Sequence, residues 1–229
     1  MGMGILAAGS ISASAQTPGT ASEFWPGLAV RYQWPSALSL RLYSEIKNAE
    51  DFPYQQLGIG GQVGYQLRAM TRPHLTNIDP EKNHNFFFGA GYEYLATIQS
   101  GKSTTESRVT AQVTGRHRPA ASVLVEDRNL MEFRWVNAVY QTRYRNKLSL
   151  EVDVLVRQFR FTPYASAEVF YSWAKGSWNE QQYAVGVRWP FKKLLKIDTY
   201  YLRQNCTTCA PAHVNAAGLA LSVYFGSVR

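Results

Sequence analysis

Arginine and glutamate recur at alternate positions through the middle of the chain: Arg128, Glu132 and Arg134, then Arg143, Arg145 and Glu151, then Glu168 and Arg188. A guanidinium is a planar fork that donates paired hydrogen bonds to a carboxylate, so such residues on adjacent strands make ion-pair ladders. Spacing by two puts them all on one face of extended chain. The same parity adds the bases Arg31, Arg41, Lys47, Arg68, Arg108, Arg116, Lys147 and Lys196, and the acids Glu45, Glu93, Glu126, Asp153 and Asp198. Two uses compete for this set. The charges either fill an interior as a structural ladder, or line a narrow passage whose excess of Arg and Lys favours anionic solutes. The ladder is the stronger reading, because long Arg and Glu side chains close a lumen of intermediate width.

Other chemistries find less support. Cys206-Thr207-Thr208-Cys209 has the spacing of a redox motif but no βαβ pattern beside it, and only His213 is near enough to complete a metal set. A local disulfide in an oxidising compartment is the expected state of the pair. No metal and no cofactor is expected. His74, His84, His117 and His213 form no pairing with a serine of the kind a lipid hydrolase needs, and no adjacent aspartates suggest a protease. An outer-membrane enzyme acting on lipid or peptide is therefore the minor alternative. Gly58, Gly60, Gly61 and Gly64 lack the Lys-Ser or Lys-Thr of a phosphate loop, and glycine there reads as relief of crowding in a curved sheet.

The elements that carry the charges alternate along nearly the whole chain. Leu28, Val30, Tyr32 and Trp34 oppose Gly27, Ala29, Arg31 and Gln33; Leu57, Ile59, Val63, Tyr65 and Leu67 oppose Gln56, Gly58, Gln62 and Gln66. The longest run, Ala138 to Val156, sets Tyr140, Tyr144, Leu148 and Leu150 against Arg143, Arg145, Lys147 and Glu151. A helix repeats near every 3.6 residues and cannot give this pattern. A soluble lipocalin-like barrel also alternates, with its apolar face inward. Three features favour apolar side chains facing lipid: segments longer than ordinary strands, charges at strand centres, and aromatics near segment ends. No apolar run approaches the roughly 18 residues of a membrane helix. The expectation is an all-β, closed antiparallel transmembrane barrel.

Parity gives eleven alternating segments when Ala138–Val156 is one strand. Barrels of bacterial single chains use even numbers. A turn at Asn146-Lys147 makes twelve, the preferred count, and a merger elsewhere makes ten. The longest gap, Met70–His84, and the Cys206–Cys209 segment are both expected in external loops.

Residues 1–15 read as a signal peptide, N-terminally truncated because no Lys or Arg precedes the apolar stretch; Ala13-Ser14-Ala15 is the cleavage pattern. Residues 16–22 are then a periplasmic lead-in and 23–229 a single barrel domain. The net charge is +8, but the basic residues alternate rather than cluster, which argues against nucleic acid. Expected partners are outer-membrane lipid, the barrel assembly machinery and small anionic solutes.

A family resemblance rests on short features in order. These are Phe24-Trp25-Pro26, Glu45, Gly91-Tyr92-Glu93-Tyr94, Arg128 with Glu132-Phe133-Arg134, Arg143-Tyr144-Arg145, Glu168-Val169-Phe170, Gly186 and Tyr200-Tyr201. From about Glu23 to Phe225 the chain resembles a bacterial family known only as domain of unknown function 2490. The resemblance implies an outer-membrane barrel with no established activity and supplies no catalytic residues.

Overall fold

The computed structural model describes residues 19–50, 54–69, 82–99, 101–191 and 194–226, and in β3 it leaves out the side chain of Arg68. The signal-peptide segment, His74 and most of the Met70–His84 connection lie outside the described residues. Twelve strands follow in chain order: β1 Thr20–Gln33, β2 Leu38–Ala49, β3 Tyr54–Ala69, β4 His84–Gln99, β5 Lys102–Ala120, β6 Val123–Val136, β7 Val139–Val152, β8 Val154–Val156, β9 Phe159–Ser172, β10 Ser177–Phe191, β11 Leu195–Cys206 and β12 His213–Gly226.

Eleven of these close into a barrel. Each strand from β1 to β7 pairs antiparallel with the next, β7 pairs with β9, and β9 to β12 continue the meander. The twelve expected strands are thus present in a different division. The turn expected at Asn146-Lys147 does not form. Asn146 and Lys147 are paired on both sides, with Asn129 and Arg128 of β6 and with Val169 and Glu168 of β9. A turn would have to forfeit those ladder bonds and break the parity. The twelfth strand is β8, three residues that pair only with Phe159–Phe161 of β9 beyond the ring.

An odd ring of alternating strands leaves its first and last members pointing the same way. β1 and β12 accordingly join in parallel, in unbroken register from Thr20 with His213 to Gln33 with Gly226. The barrel is therefore mixed rather than purely antiparallel. Closure pairs both edges of every ring strand, an arrangement that suits a lipid environment. Strand direction also separates two features expected on one side: β3 ends at one rim, and the Cys206–Cys209 loop lies at the opposite one.

The pleat sorts the side chains. Val63, Ile98 and Val185 are 53%, 55% and 57% exposed on the outer face, whereas Glu132 and Glu151 are 1% and 2% exposed inside. Outward aromatics gather at both rims. Trp135 with Tyr140, and Tyr171 with Trp173 and Trp178, ring the disulfide rim; Tyr32 with Trp34, and Phe161 with Trp189, ring the other. The belt is interrupted on β6 and β7, where Asn146 donates to Asp127 at 2.7 Å and to Asn129 at 3.1 Å.

Inside, rings lie across glycines of neighbouring strands. The Tyr43 ring carbon Cζ stands 2.5 Å from where a Cβ on Gly60 would be, and the Tyr164 ring 2.8 Å from that of Gly186. Phe87 covers Gly64, and Tyr200 covers Gly218, in the same way. These glycines make room for large rings within a narrow ring of strands.

Candidate functional site

All eight charges singled out by parity point into the lumen and take part in ion pairs. Glu132 of β6 accepts from Arg143 Nε at 2.6 Å and from Arg145 Nη1 at 2.8 Å, both on β7. Arg145 Nε also reaches Glu168 Oε1 of β9 at 2.8 Å, which receives Arg128 Nη2 at 2.8 Å as well. Arg143 extends the series to Glu180 of β10 at 3.4 Å. The chain Arg128–Glu168–Arg145–Glu132–Arg143–Glu180 thus ties four strands together with three bases and three acids.

Two shorter series flank it. Arg134 grips Glu106 through Nε at 2.5 Å and Nη2 at 2.9 Å, and Arg108 bridges Glu106 to Glu93, the latter at 3.0 Å. Glu151 meets Arg188 Nη1 at 2.6 Å and the ammonium of Lys82; Arg188 Nε also lies 3.3 Å from Asp198. Asp198 accepts a further bond from the Tyr164 hydroxyl at 3.0 Å. Arg116 and Glu126 pair separately at 2.6 Å. Guanidinium faces also stack on interior rings: Arg145 and Arg143 over Phe170 at 4.7 and 5.0 Å, and Arg188 over Tyr164 at 4.0 Å. Each arginine is thereby held through its plane as well as its edges.

Toward the disulfide rim the lumen turns apolar. Trp25, Leu202, Val214 and Ala216 pack together there, with Ala184 and Tyr200 against them. The Trp25 indole donates to Glu23 at 2.6 Å, and the Lys47 ammonium sits 4.0 Å over its ring. Between this cluster and the ion-pair series lies a polar cavity of about 470 Å³, bordered by Arg41, Arg128, Lys147, Tyr164 and Tyr200 among others.

Cys206 and Cys209 form a disulfide in the β11–β12 connection. The loop is fixed by backbone bonds from Cys206 N to Ala212 O at 2.7 Å and from Thr207 N to Asn179 O at 2.9 Å. Glu180 lies beside the two sulfurs, but a disulfide offers no thiolate to a metal. His84 and His117 stand on strands at the rim opposite the disulfide, and His213 stands at the disulfide rim, where its Nδ1 lies 2.9 Å from Asn205 Oδ1.

Several members of the network were not among the candidates. Glu106 shares the parity of Arg108, and Glu180 that of Gln182 and Arg188, so extending the count to the strand ends would have found both. Lys82 precedes β4, where parity carries no information. Phe87 shares the parity of Gly89, Gly91 and Glu93, and its ring is buried inside while Phe86 and Phe88 stay on the outer face. No curated protein matches the chain in sequence. Residues 22–214 do match a family model, and the chain belongs to the family described as protein of unknown function DUF2490.

Proposed function

We propose that the protein is a bacterial outer-membrane barrel whose ion-paired lumen is its structural core, leaving room for small anionic solutes but no wide pore. The observation that carries this is the inversion of ordinary globular packing. Large apolar side chains cover the outside of a closed sheet, and arginine–glutamate series fill the inside. A soluble ligand-binding barrel would place its apolar face inward, whereas an outer face as apolar as this one would drive a protein free in water to aggregate. Aromatic rings at both rims fit the two lipid–water boundaries. Residues 1–15 would serve as the export signal.

Cell fractionation tests the location: the protein should remain with outer membranes after high-salt and carbonate washes. Recovery as a detergent-free soluble monomer would overturn the membrane reading. Planar-bilayer recording tests the lumen, with expected currents far below those of a wide general porin. Porin-sized conductance from the intact barrel would overturn the structural-core reading and favour open transport.

A further inference from the structure

We propose that the protein pairs side by side with a second copy of itself through the outer face of β6 and β7, around Asn129 and Asn146. The two asparagines stand directly opposite each other. By the pleat both point outward, away from the inward charges Arg128 and Arg145 beside them. Asn129 has three outward residues of β6 on either side of it, and Asn146 three of β7, so the pair sits at the middle of both strands. Val113 of β5 and Val169 of β9 flank the pair in register. Asp127, exposed on the same face, adds a carboxylate. The inference rests on the membrane-barrel reading. On that reading this place is the hydrocarbon layer, where lipid offers no hydrogen bonds and a bare carboxylate or amide is costly.

The cluster satisfies only part of itself. Asn146 Nδ2 donates to Asp127 and to Asn129, and the Tyr144 hydroxyl donates to the same Asn129 oxygen. Among the described residues, three groups are then left without a partner: the Asn129 amide hydrogens, the Asn146 carbonyl oxygen and the second oxygen of Asp127. One is a donor and two are acceptors, so the cluster complements itself. An acyl chain meets none of the three, whereas a second copy meets them all. A two-fold axis along the membrane normal, passing between β6 and β7, sets β6 of one copy against β7 of the other. Asn129 of each copy then faces Asn146 of the other, donor to acceptor, with Asp127 beside it as the second acceptor.

The surrounding surface permits close approach. Ala111 and Gly115 of β5 lie opposite Met131 and Asp127, and Ala165 and Ala167 of β9 lie opposite Leu150 and Leu148. The space a Cβ on Gly115 would fill is open, unlike that of the interior glycines covered by rings. Small residues let membrane segments come near enough for hydrogen bonds between them, as they do between membrane helices.

The test is thiol cross-linking, in outer membranes and in phosphatidylcholine vesicles holding the purified protein, with both native cysteines replaced by serine. Leu148→Cys, beside Asn146 on the outer face, should give a band of twice the monomer mass with a short bifunctional maleimide. Ile59→Cys, exposed on β3 away from this face, should give at least tenfold less. Adding Asn129→Leu with Asn146→Leu should lower the Leu148→Cys dimer at least tenfold. Asn129→Asp keeps the shape but removes the free donor, and it should do the same while heat-modifiable migration on gels remains that of the intact barrel. Monomers alone from Leu148→Cys in both settings, a dimer that survives these substitutions, or a dimer formed better through Ile59→Cys overturns the interface. Cross-linking to a different protein in outer membranes, with monomers alone in vesicles, would give the face to that protein and overturn self-pairing as well. Fractionation reads the membrane assignment separately. A membrane-held monomer would lose the interface alone, and a water-soluble protein would lose both.

Discussion

At the scale of single residues, the lumen shows why a buried charge is safe only in company. Glu132 is almost wholly enclosed and ion-pairs with two arginines at once. Removing one member of a buried pair leaves an uncompensated charge and costs about 3–5 kcal/mol. Glu132→Ala should therefore lower the unfolding free energy of the barrel refolded into lipid vesicles, measured by urea titration, by an amount in that range. A change within experimental error would mean that water reaches Arg143 and Arg145 freely. Gly218 gives a steric counterpart. Its missing side chain is the space occupied by the Tyr200 ring. Gly218→Ala should cost about 1–3 kcal/mol through forced displacement of that ring. Pairing it with Tyr200→Leu should recover part of the loss.

These residues were legible in the sequence to different degrees. Period two identifies which face Arg128, Arg143 or Glu168 occupies, because the pleat leaves only two choices. It is silent on which acid meets which base. That depends on register, and Glu168 serves Arg128 and Arg145 only because β6, β7 and β9 align as they do. The cavity beside Arg41 was equally hidden, since Arg41 and Lys147 belong to strands far apart in sequence.

At the scale of elements, the strands followed their alternation closely and the turns less so. Eleven alternating segments correspond to eleven barrel strands. The count of twelve rests on the length of Ala138–Val156 and on an even-number rule that this ring does not obey; the segment does divide, but at Asp153, and its short second part stays outside the ring. The β6–β7 hairpin shows a local conflict. Asn137 and Ala138 both adopt positive φ, at 47° and 67°. Two such residues make the mirror-image turn that suits strand twist, normally closed by Asn-Gly. Asn137 is held by its backbone bond to Thr105 O at 2.9 Å and by its side chain accepting from Thr105 N at 3.0 Å. Ala138 has no such compensation, and a left-handed conformation costs a non-glycine residue roughly 1–2 kcal/mol. Ala138→Gly should raise the unfolding free energy by up to about 1 kcal/mol, and with it the urea midpoint, net of glycine's greater freedom when unfolded. A lowered midpoint would show that the turn differs in solution.

At the scale of the whole molecule, the parallel seam decides the architecture. Val30 and Val223 face each other across it on the outer surface. In a background with both native cysteines replaced by serine, Val30→Cys with Val223→Cys should cross-link under mild oxidation. Val30→Cys with Leu219→Cys, four residues out of register, should not. The reverse outcome would replace the eleven-strand ring by a different closure. Sequence alone could not reveal this seam, because alternation counts strands without saying which neighbours they choose.

The seam has a topological corollary. In an even-stranded barrel both extremities of the sheet open onto one compartment. Here Thr20 and Gly226 belong to strands that run side by side in the same direction, so they emerge on different sides of whatever the barrel crosses. Epitopes fused beyond these two points should therefore differ in surface labelling of intact cells, with one accessible and the other shielded until the envelope is permeabilised. Equal labelling of both would contradict the shared direction of the two strands. In the proposed membrane setting, a barrel threaded this way would have to pass one flank of its polypeptide across the bilayer, a demand that an even-stranded barrel escapes.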